Sequence, residues 1–236
     1  MKSKFICTAL LCGVNAQRAF GPLERPGGDD RSEDERRYFQ LTKMMKFYNP
    51  DFDQRRYWTY GCNCLILGIF FSVNFGAWVV NFFCVGDRPM SDPGHGPPID
   101  ALDKVCKAYK DCLKCARMQY GESCIGEFHA YEFGRKRKEM VCRDNPADGQ
   151  LQACRRKLCE CDAQFARNHV GQAHVFDPDY HLFWSTLPNG WEPKDNCPRG
   201  GGGPYTPECC GTPTTPDILF NGATRQCCAG VVRKEC

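Results

Sequence analysis

Apolar residues recur at steps of three and four in two places along the chain. Leu102, Val105, Cys106, Tyr109, Cys112, Leu113 and Ala116 form one stripe, which predicts a helix with a single buried face. Pro97-Pro98-Ile99 leads into it, Asp100 is a candidate N-cap, and Gly121 is the natural stop. Leu151, Cys154, Leu158, Cys161 and Phe165 make a second stripe, with Arg155, Arg156 and Lys157 elsewhere on the same helix. Between the two, Glu127 to Phe133 and Lys138 to Cys142 flank Gly134-Arg135-Lys136, a pattern that predicts a small hairpin. The expected fold is therefore mostly α, small and disulfide-rich, with two long helices and a β-wing.

Two other stretches break this pattern. The opening MKSKFICTALLCGVNA has a basic start, a short apolar run and a small-residue end, which is the anatomy of a secretory signal over 1–16. Residues 17–36, with Pro22, Pro26, Gly27, Gly28 and mixed charge, read as an exposed linker. Leu65 to Val85 carries no charge and is long enough to span a bilayer. Three readings compete for it. A membrane span would place cysteine-rich sequence on both sides of a membrane, and a buried hairpin would need partners for Asn74 and Asn81. A short intron read in frame is the favoured reading, because Gly68-Ile69 is compatible with a splice donor and the approach to Gly86 with an acceptor.

Composition sharpens the picture. There are 19 cysteines in 236 residues, a usage that points to an oxidising compartment and a secreted protein. Setting aside Cys7 and Cys12 of the signal and Cys84 of the apolar insert leaves ten between Cys62 and Cys161 and six between Cys197 and Cys236. Both groups are even, so two separately closed modules are the simplest account. The formal charge of +3 falls to +1 once Lys2 and Lys4 leave with the signal. That balance disfavours a nucleic-acid partner or a polyacidic mineral binder.

Several short motifs together resemble secreted phospholipase A2. Tyr60-Gly61-Cys62-Asn63-Cys64 is similar to the start of that family's calcium loop. Gly96 to Asp103 resembles the approach to its first active-site helix, and Cys106-Lys107-Ala108-Tyr109-Lys110-Asp111-Cys112 falls where the family has Cys-x-x-His-Asp-x-Cys. Cys159-Glu160-Cys161-Asp162-Ala163-Gln164-Phe165-Ala166 is similar to the second-helix motif, and Phe39 to Phe47 to the N-terminal interfacial helix. The resemblance covers Tyr38 to Val170. It implies two long antiparallel helices joined by Cys112–Cys161, with Cys64 and Cys106 as further disulfide positions.

The resemblance also implies a degenerate site. Family members hydrolyse the sn-2 ester of a phospholipid, with a histidine as base and calcium as electrophile. Here the histidine position is Tyr109, a phenol whose ordinary pKa near 10 makes it a poor base at neutral pH. The partner aspartate survives as Asp162. The calcium positions are Asn63, Leu65, Leu67 and Lys110, and an ammonium stands where a carboxylate ligand is needed. No cofactor is expected, with calcium only if the chain is an enzyme after all. Lysine at that position also resembles snake-venom homologues that perturb membranes without hydrolysis. None of His95, His129, His169, His174 and His181 has the family's setting, so each is expected at the surface or in packing.

Beyond the matched region, 171–203 is an aromatic and then Gly-rich loop packed on the central module, and 204–236 is a Cys-rich segment similar to galaxin-like di-cysteine repeats. Two basic clusters, Arg135-Lys136-Arg137-Lys138 and Arg155-Arg156-Lys157, are candidate sites for anionic headgroups or sulfated glycans. No Asn-x-Ser/Thr sequon is present. The leading expectation is a secreted, catalytically silent protein over a 37–170 domain, binding a lipid surface or anionic matrix glycan. A calcium-dependent phospholipase A2 and a calcium-independent membrane-perturbing homologue are the alternatives.

Overall fold

The computed structural model describes residues 33–57, 59–64, 74–75, 78–79, 96–125, 129–198, 203–212 and 215–236. The signal-peptide expectation, most of the linker, Cys84, Leu65, Leu67 and Gly68 lie outside them. Four residues of the apolar insert are described, and they pair antiparallel as β1 (Asn74–Phe75) and β2 (Trp78–Val79). Among the described residues no helix is long and apolar enough to cross a membrane.

Helix α1 (Glu33–Tyr48) begins inside the stretch expected to be linker. Leu41, Met44 and Met45, at helical spacing, are buried in the core. Helix α2 (Ala101–Tyr120) starts where Asp100 accepts from the Asp103 amide at 2.7 Å, and it stops at Gly121 with φ of 96°. Helix α3 (Gln150–Gln172) carries Cys154, Leu158, Cys161 and Phe165 inward.

Contacts between α2 and α3 run in opposite senses along the two helices. Phe165 stacks on Tyr109 at 4.5 Å, Cys112 is bonded to Cys161, and Gln150 donates to the Tyr120 carbonyl at 2.9 Å. Cys124–Cys154 and Cys142–Cys159 fasten the following loop and the β-wing to α3.

The wing consists of β3 (Phe133–Lys136) and β4 (Glu139–Cys142), paired from Phe133↔Cys142 to Lys136↔Glu139. Its turn is therefore Arg137-Lys138, not the Gly134 to Lys136 segment that composition suggests. Arg137 itself takes the left-handed conformation at φ of 56°. Gly134 pairs with Val141 in the ladder, and the Arg143 guanidinium covers it; a Cβ there would meet Arg143 at 2.3 Å.

The cysteine map corrects the expectation of two separately closed modules. Cys62 is bonded to Cys197 and Cys115 to Cys209, so two bridges join the central region to the C-terminal segment. Two crossings leave both groups even, which is why parity alone could not reveal them. Cys209 and Cys210 are neighbours on β5 (Pro207–Thr212), and successive strand residues point to opposite faces. Cys209 thus reaches α2, while Cys210 bonds Cys227 on β7 (Gln226–Cys228). Strand β6 (Thr215–Asn221) pairs with β5 and packs on α2, and β8 (Val231–Arg233) pairs with β7. Cys228–Cys236 closes the end of the chain.

The loop over 171–198 is held by burial of His181 and Trp191 and by the short helix α4 (Pro193–Asn196), which delivers Cys197. Replacing Cys62 and Cys197 together by alanine is expected to cost about 2 kcal/mol. That is the low end for a disulfide, since other bridges already shorten the enclosed chain. Guanidinium denaturation reads it as a lower midpoint; an unchanged midpoint would mean the bridge adds no constraint.

Candidate functional site

The site expected from the sequence lies between α2 and α3. Asp162, on α3 and fully buried, accepts from the Tyr109 hydroxyl at 2.7 Å and from the Tyr131 hydroxyl at 2.5 Å. Each carboxylate oxygen thus has a phenol donor, which offsets the cost of burying the group. Tyr109 is 8 % exposed and Tyr131 3 %, and Phe165 covers the Tyr109 ring. The arrangement holds α2, α3 and the segment before the wing together. Tyr131 was not legible in the sequence, because it sits 31 residues before Asp162 and no local motif marks it.

The segment before the apolar insert is positioned by a second buried carboxylate that sequence reasoning also missed. Asp103 has no exposure and accepts from Asn63 N at 2.6 Å and from Cys62 N, Asn63 Nδ2 and Ile99 N at 3.1 Å each. Gly61, with φ of 60°, lets the backbone approach; a Cβ would lie 2.7 Å from the Asp103 carboxyl carbon. Tyr60 donates to Asp100, and burial together with that carboxylate pushes its phenol well above the usual range. The Asp-x-x-Asp spacing at the α2 start was the available signal: one carboxylate caps the helix and the next turns inward.

Among the described residues no group of three or more His, Cys, Asp or Glu side chains is placed to hold a metal ion. Lys110 follows Tyr109 with an ammonium, Asp111 pairs with Lys107 at 2.8 Å, and both Asp103 oxygens already accept from N–H groups. Calcium requires several oxygens free to face it.

Two of the histidines, His169 and His181, are buried in packing, while His174 is exposed. His169 is fully buried among Phe52, Tyr57 and Phe165, and neither ring nitrogen has a hydrogen-bond partner among the described residues. Burial lowers its pKa to about 4. His181 is also buried; its Nε2 meets the Arg55 carbonyl at 3.1 Å and its Nδ1 accepts from Phe183 N at 3.1 Å. Those contacts fix one neutral tautomer, with the proton on Nε2, and burial lowers its pKa as well.

The two basic clusters part company. Arg135, Lys136, Arg137 and Lys138 are all exposed on the wing. The second cluster is partly exposed and makes contacts within the molecule. Lys157 pairs with the buried Asp217 at 2.5 Å, linking α3 to β6, and Gly211 leaves room for that carboxylate. Arg156 pairs with Glu160 at 2.6 Å and donates to the Cys142 carbonyl at 2.9 Å. Arg155 lines an open polar cavity of about 460 Å³ beside Arg143, Asp144 and Asp148. Lys157 is thus engaged with an internal carboxylate, while Arg155 and Arg156 remain partly exposed.

No family model matches the chain. Individual proteins do. Basic phospholipase A2 homolog acutohaemolysin from Deinagkistrodon acutus is 27% identical over 128 residues, 54% of this chain and 66% of that protein. Basic phospholipase A2 homolog 2 from Bothrops asper is 27% identical over 149 residues, 63% of this chain and 82% of that protein. A phospholipase A2 homolog from Echis carinatus sochureki is 25% identical over 109 residues, 46% of this chain and 72% of that protein. With the helices, short sheets and many disulfides seen here, these distant likenesses support a phospholipase A2-like family for the chain.

Proposed function

We propose that this is a secreted phospholipase A2-like protein, built on two long antiparallel helices, that binds phospholipid surfaces without calcium and without hydrolysing the sn-2 ester. The observation that carries the reading is the Tyr109 hydroxyl donating to Asp162 at 2.7 Å in the core, where a general base would be needed. A neutral phenol engaged with a carboxylate cannot take a proton from water at neutral pH.

Surface binding draws support from the loop after α3. Phe183, Trp184 and Leu187 are 67%, 40% and 44% exposed. The loop holds them firmly: His181 stacks on Trp184 at 4.7 Å, and Asp179 accepts from the Thr186 amide at 2.9 Å. The exposed Arg55 and Arg56 flank it, the latter over the Phe176 ring that meets Trp184. An exposed aromatic knuckle rimmed by arginine suits the boundary between headgroups and acyl chains. The galaxin-like tail favours an extracellular matrix setting. Membrane perturbation is the second reading, favoured by Lys110 together with this knuckle.

The test is sn-2 hydrolysis by the purified protein in millimolar calcium and in chelator, beside Tyr109→His/Lys110→Asp, with binding to and leakage from anionic vesicles. We expect no turnover by the native protein and calcium-independent vesicle binding. Leakage would select the second reading, and calcium-dependent turnover that survives repurification would overturn the proposal.

A further inference from the structure

The wing's basic turn is part of a larger cationic face. On α1, Phe39, Lys43, Lys46 and Phe47 follow helical spacing and share one side. The Arg135 guanidinium lies 5.1 Å from the centre of the Phe47 ring, and the Lys43 ammonium 4.4 Å from that of Phe39. The Tyr48 hydroxyl donates to Glu139 at 3.0 Å and accepts from the Met140 amide at 3.0 Å, which fastens the wing to the end of α1. From α3, the exposed Arg167 reaches Glu139 at 3.5 Å. The turn is itself braced, with Arg135 Nε donating to the Arg137 carbonyl at 3.0 Å.

Among the described residues, three elements therefore bring seven cations to the surroundings of Glu139, whose carboxylate already has two partners. This excess of six is twice the formal charge of the whole chain, +3. Such a concentration on a nearly neutral protein is a directed field.

We propose that this face binds a sulfated polysaccharide chain. The apolar groups argue for that partner over a membrane. The aromatic rings of the face are capped by cations, and Val141 is the one member of the wing among the large exposed apolar side chains. Groups able to enter a bilayer sit instead on the 183–187 knuckle. Sulfates stay ionised at all physiological pH values, and the three arginines offer them paired N–H donors. The proposal goes beyond the lipid-surface reading and stands without it.

Heparin oligosaccharide binding by calorimetry at physiological salt tests it, on the intact secreted protein. The native chain is expected to bind with an affinity that falls steeply with salt, as counterion release requires. Charge reversal of Arg135, Lys136, Arg137 and Lys138 to glutamate, or separately Lys43→Glu/Lys46→Glu, should each lower affinity tenfold or more. Lys194→Glu/Lys234→Glu, equal in charge to the α1 variant and exposed on other elements, should leave it within twofold. Phosphatidylserine-containing vesicles should still bind the α1 variant. Absence of heparin binding would overturn the proposal and leave the lipid reading standing. An equal loss in the Lys194/Lys234 variant would overturn it too, since net charge alone would then set the affinity. Loss of vesicle binding with heparin affinity unchanged would assign the face to lipid and overturn it as well.

Discussion

Replacing Asp103 by alanine is expected to lower stability by about 4 kcal/mol, because it strips the acceptor from four donors at once, three of them buried. Hydrogen bonds to a charged group contribute about 1.5–3 kcal/mol each, but they share one carboxylate and some donors will find water. The estimate therefore lies well below their sum. Asp103→Asn should cost about half as much, since one oxygen remains while the new NH2 faces N–H groups. The damage should be local as well as global. Cys62–Cys197 and Cys64–Cys106 keep the ends of the segment tied, so the Asn63 amide should lose hydrogen-exchange protection before the amides of α2 do. Retained protection at Asn63 in Asp103→Ala, with an unchanged denaturation midpoint, would show that the carboxylate does not anchor this loop.

Asp103 also shows where the sequence was readable. The stripes of α2 and α3 are strict helical repeats with a cap and a glycine stop, so these elements and their buried faces were visible from local order alone. The Tyr109 and Asp162 positions were visible through motifs. What escaped depends on contacts between distant segments. Tyr131 meets Asp162, Asp103 meets Asn63, and Lys157 meets Asp217 only after the helices have packed. Lys157 shows the limit clearly. In a run with Arg155 and Arg156 it reads as part of an anion-binding cluster, and only the arrival of β6 turns it into a nearly buried ion pair. The cysteines failed for a related reason. Parity restricts how many bridges cross between regions, yet it says nothing about whether that number is zero or two.

The second large effect is acid lability set by His169. In the unfolded chain this imidazole protonates near pH 6.5. In the fold, burial among aromatic rings holds its pKa down at about 4. Above pH 6.5 both states are neutral and the residue contributes no pH dependence. As pH falls from 6.5 towards 4, the unfolded state gains a proton that the folded state does not bind, so stability declines. At pH 4.5 the loss from this group comes to about 2.5 kcal/mol. His181, lowered in the same direction, steepens the decline, and Asp53, held down by Arg55, extends it to more acid pH. His169→Phe keeps an aromatic ring in the cage of Phe52, Tyr57 and Phe165 and removes the proton site. It should therefore flatten the stability difference between pH 7 and pH 4.5 by that amount, whatever it does to stability at pH 7. An NMR titration of the native ring gives an independent reading, with an inflection near 4 expected. A normal inflection near 6.5, or an undiminished pH dependence in His169→Phe, would mean that the ring reaches solvent and that the acid lability arises elsewhere.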